Sequence, residues 1–281
     1  VVTLNSTYSG TDAGNYNITS QTNTTANITA KALTISGITA NDKVYDGNMS
    51  AVTNISGVTN AVLIAGGLVA GDNVTVAATG TFADKNVNTS KVVTLNSTFG
   101  GLDVGNYNIT AQTNTTANIT AKALTISGIT AANKVYDGTN TSTVNTSGVT
   151  NATLVTGGMV TGDNVTVSAT GTFADKNANT SKVVMLTSTY GGADLGNYNI
   201  TSQTYTMADI TPKVLNISGI TAANKVYDGN MTATINTAGV TNATLVSGGM
   251  VNGDNVTVCA TGTFTNKNVN TSIVVTLNST Y

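Results

Sequence analysis

The 281-residue chain carries 13 Asp and 11 Lys but no Glu, Arg, His or Trp, and its formal net charge is −2. A balance so close to neutral argues against nucleic acid as a partner, because phosphate binding needs a basic surface. No run of 18 apolar residues is present, so the sequence predicts no membrane-spanning helix. Without His or Glu for acid–base work, or a recognisable phosphate loop or metal-ligand motif, we expect neither an enzyme nor a bound cofactor.

The chain repeats one 91-residue unit three times. The pentapeptide KVYDG begins at Lys43, Lys134 and Lys225, and the segments GNYNIT, GDNVTV and F(A/T)(D/N)KN recur with the same spacing. Residues 22–47 and 113–138 differ at only two of 26 positions. We therefore predict the end of one repeat, two complete domains and the beginning of a third, with the boundaries 1–29, 30–120, 121–211 and 212–281.

Taken in chain order, one unit alternates apolar and polar residues with the period of a β-strand. The clearest predicted strands are 73–82, 91–99, 106–110 and 122–129, and Gly, Asn and Asp mark the turns between them. No stretch of ten residues shows a capped helical period. We predict an all-β fold with about seven or eight short strands per unit, packed as a β-sandwich-like domain of Ig-like or other mostly-β type.

The seam between units predicts a linear array. Residues 115–128 contain no Gly before position 128 and no charge run, so the last strand of one unit is expected to pass almost directly into the next. A short seam predicts a stiff rod of domains. Head-to-tail joining of chains would complete the partial repeats, either by covalent continuity or by strand exchange between copies.

The combined pattern ITAKALTISGITAxxKVYDG…GDNVTV…TGTFADKN…GNYNIT resembles the YDG-domain repeat of large secreted surface proteins, the filamentous-haemagglutinin-like adhesins. The similarity extends over the whole chain. It implies an extracellular, mostly-β module with a structural or adhesive role and with no catalytic residues.

The Tyr-Asp-Gly motif is first of all a turn. Tyr45 is expected to bury its ring, Asp46 to cap backbone N–H groups, and Gly47 to adopt positive φ. The alternative is a Ca²⁺ site in which Asp46 is joined by Asp72 or Asp84, or by Asp42, as oxygen ligands.

The lysines and aspartates near the motif are candidates either for a covalent crosslink or for ordinary ion pairs. Lys43, Lys85 or Lys91 with Asp46 or Asp84 would supply the reactants of an intramolecular isopeptide bond. The third repeat replaces one of these lysines by Ile273 and one of the carboxylates by Asn266. Solvated charges at turns are therefore the expected arrangement.

The strongest chemical signal is a set of 24 Asn-x-Ser/Thr sequons, against roughly ten expected from composition. On a strand, the Asn and the Ser or Thr of a sequon point to one face and the residue between them to the other. An Asn/Thr-rich strand surface would also create sequons automatically, so two interpretations remain. If the sequons carry N-linked glycans, the candidates that recur in register are Asn17, Asn73, Asn88, Asn108, Asn164, Asn179, Asn199, Asn255 and Asn270.

These observations predict a mechanical function at the cell surface. We expect a structural segment of an extracellular filament or fibre whose partners are copies of itself, joined head to tail. The alternative is the stalk or multivalent binding module of an adhesin that recognises a host or neighbour-cell glycan or protein. That alternative needs exposed residues in register, for which Tyr16, Tyr107 and Tyr198 qualify, although inward-facing tyrosines are the stronger expectation.

Overall fold

The structure is a computed structural model that describes residues 1–280. The chain divides into two compact units, Val1–Lys122 and Ala123–Tyr281, and each is described by itself. Both units consist mostly of strands with a few short helices. The predicted all-β, repeated sandwich-like class is therefore confirmed.

The first unit contains eleven strands, one α-helix (α1) and two 3₁₀ turns. Their bounds are β1 Val2–Thr3, a 3₁₀ turn Ala13–Asn15, β2 Asn23–Thr24, β3 Lys31–Thr34, β4 Thr39–Ala40, β5 Lys43–Val44, β6 Ser50–Ala51, β7 Thr53–Asn54, α1 Asn60–Ala65, β8 Thr75–Phe82, β9 Asn88–Gly100, a 3₁₀ turn Val104–Asn106, β10 Tyr107–Thr110 and β11 Asn114–Thr120.

In the second unit, β12 to β20 repeat the element order of β3 to β11, and the first elements of the third repeat follow. Its elements are β12 Lys122–Thr125, which spans the boundary, β13 Thr130–Ala131, β14 Lys134–Val135, β15 Thr141–Ser142, β16 Val144–Asn145, α2 Asn151–Thr156, β17 Thr166–Phe173, β18 Asn179–Gly191, a 3₁₀ turn Leu195–Asn197, β19 Tyr198–Thr201, β20 Tyr205–Thr211, β21 Thr221–Ala222, β22 Thr232–Ala233, β23 Ile235–Asn236, α3 Asn242–Ser247, β24 Cys259–Phe264 and β25 Val275–Thr280.

Each complete repeat is organised around a five-stranded sheet. Its order in the first unit is β5-β11-β9-β8-β6, and in the second it is β14-β20-β18-β17-β15. A long antiparallel hairpin, β8–β9, forms the centre, and β11 adds antiparallel to β9 and parallel to β5. The strand that ends the repeat therefore lies inside the sheet, and its Ile119 is buried, as are Phe82 of β8 and Val93 of β9; all three are 1% exposed or less.

A parallel pair formed by β3 and β10 accompanies this sheet. On the other side of β3, the amide of Thr34 donates to the carbonyl of Gly66 at the end of α1. A Cβ built at Gly66 would collide with the carbonyl oxygen of Thr34, so the Gly-Gly pair after the helix is required by this close backbone approach.

The predicted strands are present in the structure, but the number of strands per repeat is higher than predicted. The predicted strands correspond to β8, β9, β10 and β12, and a single residue separates β11 from β12, as the seam predicted. The complete repeat 30–120 has nine strands rather than seven or eight, because four of them are only two residues long.

The three short helices are not predicted from the sequence. Each has six residues and begins after a threonine N-cap; the Thr150 side chain accepts from the amide of Thr153. Fewer than two helical turns are too few to generate a recognisable 3.6-residue period. The threonine followed by Asn-Ala and, after the helix, Gly-Gly is the signal that could have located them.

Candidate functional site

Of the four carboxylates that are candidate Ca²⁺ ligands, three lie in three different contacts. Asp46 pairs with Lys43 at 2.7 Å, Asp84 with Lys91 at 2.6 Å, and Asp72 accepts a 2.5 Å hydrogen bond from the Tyr107 hydroxyl. Within residues 1–280, no three acidic, His or Cys side chains are grouped to hold a metal ion. The remaining candidate, Asp42, accepts two hydrogen bonds from Asn118.

The turn of the Tyr-Asp-Gly motif encloses a lysine ammonium from its own repeat. The Lys43 Nζ lies within 3.1 Å of four oxygens: the side-chain oxygens of Asp46 and Asn48, and the carbonyls of Asn48 and Ser50. Its charge also lies 5.6 Å from the centre of the Phe82 ring. The lysine that opens the motif thus supplies the positive charge around which the loop folds.

The same arrangement of oxygens around a lysine ammonium recurs in the other two repeats. In the second, Lys134 contacts Asp137, the side-chain and main-chain oxygens of Thr139, and the Thr141 carbonyl. The hydrogen bond from Lys134 is the main reason that the pKa of Asp137 falls to about 2. Lys225 repeats the arrangement in the third repeat.

The lysine–aspartate pairs considered for a covalent bond are ion pairs with exposed carboxylates. The side chains of Asp46 and Asp84 are 45% and 54% exposed, whereas an intramolecular isopeptide bond needs a buried acid. Lys85, the third lysine, has its ammonium 5.8 Å from the centre of the Tyr45 ring.

A second contact of the motif joins neighbouring repeats. The hydroxyl of Tyr136, in the second repeat, donates to Asp254 of the third repeat at 2.7 Å. The Lys176 ammonium lies 3.2 Å from the same carboxylate and 5.9 Å from the centre of the Tyr136 ring. We call Tyr136, Lys176 and Asp254 the junction clasp.

The contacts within the junction clasp favour the charged forms of Asp254 and Lys176. The hydrogen bond from Tyr136, with a further contribution from Lys176, lowers the pKa of Asp254. Asp254 in turn raises the pKa of Lys176. Beside it, a Cβ built at Gly138 would lie 2.8 Å from Val251 Cγ1, so the Gly of the motif also touches the next repeat. This role is not predictable from the sequence, because nothing local connects Tyr136 to a residue 118 positions later.

The tyrosines considered for ligand recognition face inward in both complete repeats. Tyr107 and Tyr198 are each 8% exposed, and their hydroxyls donate to Asp72 and Asp163. Burial, followed by the Asp72 carboxylate, raises the pKa of Tyr107. The inward orientation expected from the sequence is confirmed at these two positions. By contrast, Tyr16 is 72% exposed.

All nine glycosylation candidates have exposed asparagines. The predicted alternation is present in Asn73-Val74-Thr75, where Val74 is buried between two exposed residues. It is absent at Asn88, where Thr89 is also exposed and Ser90 has a φ of +50°. The geometry therefore places these asparagines in reach of solvent, and their modification remains a prediction.

Comparison with known families locates the repeat. The model of the YDG domain matches residues 29–116, 120–206 and 211–281, which together cover most of the chain. No curated protein and no solved structure matches the chain.

Proposed function

Since the chain belongs to the YDG-domain family, present here in three tandem copies, we propose that it is a structural segment of an extracellular filament or fibre. Its role is mechanical, without catalysis: it extends by repetition and transmits load from one repeat to the next. An adhesin stalk would use the same properties.

The junction clasp is the observation that carries this proposal. The motif recurs every 91 residues, and in its second copy Tyr136 and Gly138 contact the following repeat, while Lys134 and Asp137 close the turn of their own repeat. A repeated motif that contacts the following repeat is what a tandem array requires, because neighbour interfaces add to the stability of each unit.

The surface supports an extracellular location. Of the 24 sequon asparagines, 23 are exposed and Asn118 is half-buried. With only 9% charged residues, the sheet edges have few charged side chains that oppose pairing with other strands. N-linked glycans on these asparagines would supply that protection and would also shield the backbone from proteases.

Immunogold labelling of intact source cells tests the location, with permeabilised cells as control. We expect label on fibres outside unpermeabilised cells; label found only after permeabilisation would refute the proposal. The denatured mass before and after enzymatic deglycosylation tests the glycans, and an unchanged mass would remove them from the proposal.

A further inference from the structure

The five-stranded sheet of the second repeat has one buried face and one exposed face. On the buried face, Val184 and Ile210 are 1% exposed or less. The opposite face of β18 and β20 carries Met185, Tyr205 and Met207, which are 55%, 57% and 51% exposed. We call this side of the sheet the outer face. Three large apolar side chains therefore lie in water on one side of the same sheet.

These side chains lie close together because their strands are neighbours in register. Met185 pairs with Tyr205, and Val183 pairs with Met207. Residues that are directly opposite on antiparallel strands have Cβ atoms about 4.5–5.5 Å apart, and residues two positions apart on one strand point to the same face. Val183, Met185, Tyr205 and Met207 thus form one contiguous patch, which we call the apolar block.

The first repeat has polar residues at these places. The counterparts of Met185, Tyr205 and Met207 are three exposed residues of β9 and β11, namely Thr94, Asn114 and Thr116. The two repeats have the same strand order and the same strand pairing. The fold therefore does not need apolar side chains at these positions, and the apolar block calls for another explanation.

The outer face of the second repeat also lacks the sequons that the first repeat carries there. In the first repeat, sequons on β9 and β11 begin at Asn96, Asn114 and Asn118. The second repeat has no sequon at these three places, where it carries Thr187, Tyr205 and Asp209. Residues 1–29 and the third repeat keep sequons at the corresponding positions Asn5, Asn23, Asn27 and Asn278.

The remaining sequon on the long strands of the second repeat does not lie on the outer face. It begins at Asn179, which pairs with the inward-facing Ile210. The absence of sequons and the apolar block therefore coincide on one face of one repeat. A surface that is free of glycan attachment sites and apolar is suited to contact with another molecule.

The polar groups beside the apolar block favour a protein surface over a sugar as its partner. A sugar site needs polar groups that are placed to bind the ligand, in addition to an aromatic ring. Near Tyr205, the side chain of Gln203 is already bound to the backbone of Ile129 through both of its polar atoms. The carboxylate of Asp209 accepts from the amide of Ser181 at 2.7 Å. The block therefore offers mainly apolar contact.

The outer face is compatible with a second copy of itself. On β17, β18 and β20 it carries one charged residue, Asp209, so two such faces meet with little repulsion between like charges. A twofold axis parallel to the strands would bring Met185 of one copy over Tyr205 of the other, and Met207 over Val183. Each methionine would then face a ring or a branched side chain, which its flexible thioether packs against well.

We propose that two copies of this chain pack their second repeats against each other, outer face to outer face, through the apolar block. The inference rests on the proposed function and adds to it a lateral contact between neighbouring chains of a fibre. The eight residues of β17 and the width of three strands give a face of about 26 Å by about 14 Å. That is on the order of 350 Å² per copy, against about 800 Å² in a standard interface. Separate chains are therefore expected to bind weakly, and many such contacts along a fibre would reinforce one another.

Sedimentation equilibrium of the 281-residue chain, at concentrations up to about 1 mM, tests this contact. The chain is produced without glycosylation and kept reduced, so that the exposed Cys259 does not link copies. A triple variant, Met185→Thr with Tyr205→Asn and Met207→Thr, gives the second repeat the residues of the first, which the fold already accepts. We expect reversible dimers of the native chain and association at least about tenfold weaker for this variant.

The reverse exchange tests whether the apolar block is sufficient. The variant Thr94→Met with Asn114→Tyr and Thr116→Met gives the first repeat the block of the second, where Val92 is already the counterpart of Val183. A chain with two such blocks has two places of contact. It should therefore form assemblies larger than dimers, whereas the native chain should not.

Met231→Asn is the matched control. It removes another methionine, 46% exposed, in the third repeat and installs the residue found at the corresponding place of the second, Asn140. This variant should dimerise as the native chain does.

Two results would overturn the inference: a native chain that stays monomeric at about 1 mM, or a triple variant that associates as tightly as the native chain. A monomeric chain that binds a glycan array, with binding abolished by Tyr205→Asn, would overturn it in favour of sugar recognition. A monomeric chain that labels fibres outside the cell would leave the proposed function standing. Dimers together with label found only inside cells would refute the proposed function and leave the contact.

Discussion

Truncation of Ile210 tests whether the last strand of a repeat stabilises that repeat alone. Ile210 is 1% exposed and packs in one cluster with Phe173, Val184 and Ala208. Replacement by Ala removes three carbon atoms from this cluster, and such changes in a packed core cost about 2–5 kcal/mol. Since β20 is hydrogen-bonded on both edges, the sheet has little freedom to collapse into the cavity.

Hydrogen exchange read by mass spectrometry measures this loss repeat by repeat. If core amides of the second repeat exchange through its unfolding, 2–5 kcal/mol accelerates them about 30-fold to a few thousand-fold. Peptides from 75–100 and 166–191 differ in sequence, so the first repeat serves as an internal reference. We expect the acceleration in the second repeat and unchanged exchange in the first.

Two further variants on the same strand calibrate the loss of stability expected for Ile210→Ala. Ile210→Val should cost about 0.5–1.5 kcal/mol. Met207→Ala removes a side chain that is 51% exposed and should stay within about 0.5 kcal/mol of the native chain. Equal effects of Met207→Ala and Ile210→Ala, or equal acceleration in both repeats, would refute the conclusion that this strand completes the core of its own repeat.

Three further predictions concern the motif and its surface. Gly138 and Gly229 have φ near +80°, so replacement of either by Ala should lower the free energy of unfolding by about 1–2 kcal/mol. Only at position 138 does the new Cβ meet the next repeat. Thermal melts should therefore show a larger loss of stability for Gly138→Ala, and equal losses would contradict the contact. The pKa of Asp137 is depressed from 3.8 to about 2 in the folded state, so the stability that its ionised form contributes is complete above pH 4 and is lost as the pH falls toward 2. The urea midpoint of unfolding should fall over the same pH range. Asp137→Asn should make this pH dependence shallower. In glycopeptide mapping we expect a glycan on Asn108 and none on Asn118, whose Nδ2 donates to a carboxylate; an occupied Asn118 would contradict this reasoning.

A change at one position of the repeat is matched by a change at its contact. In the first repeat Asp42 accepts from Asn118, whereas in the second Asn133 donates to Asp209. The exchange of acid and amide between the two strands preserves one carboxylate and one amide in each pair. Compared position by position, the two repeats show two separate substitutions. The hydrogen bond between residues 76 positions apart shows that the two substitutions form one compensating pair.

The class of this protein follows from local patterns in its sequence. A period of 91 residues, strict alternation and turn residues at fixed places predict tandem β domains, because strand faces and turns are encoded by neighbouring residues. The buried ring of Tyr45 and the direct passage from β11 to β12 follow from the same local rules.

The partners of the repeated motif depend on how distant strands pack together. Lys134 enters the turn that follows it, whereas Tyr136, two residues on, reaches a carboxylate in the next repeat. Alternation predicts that two such side chains share a face of a strand, but not which partner lies there. Partners far apart in the chain are selected by the packing of whole strands, and a single sequence carries no local signal of that packing.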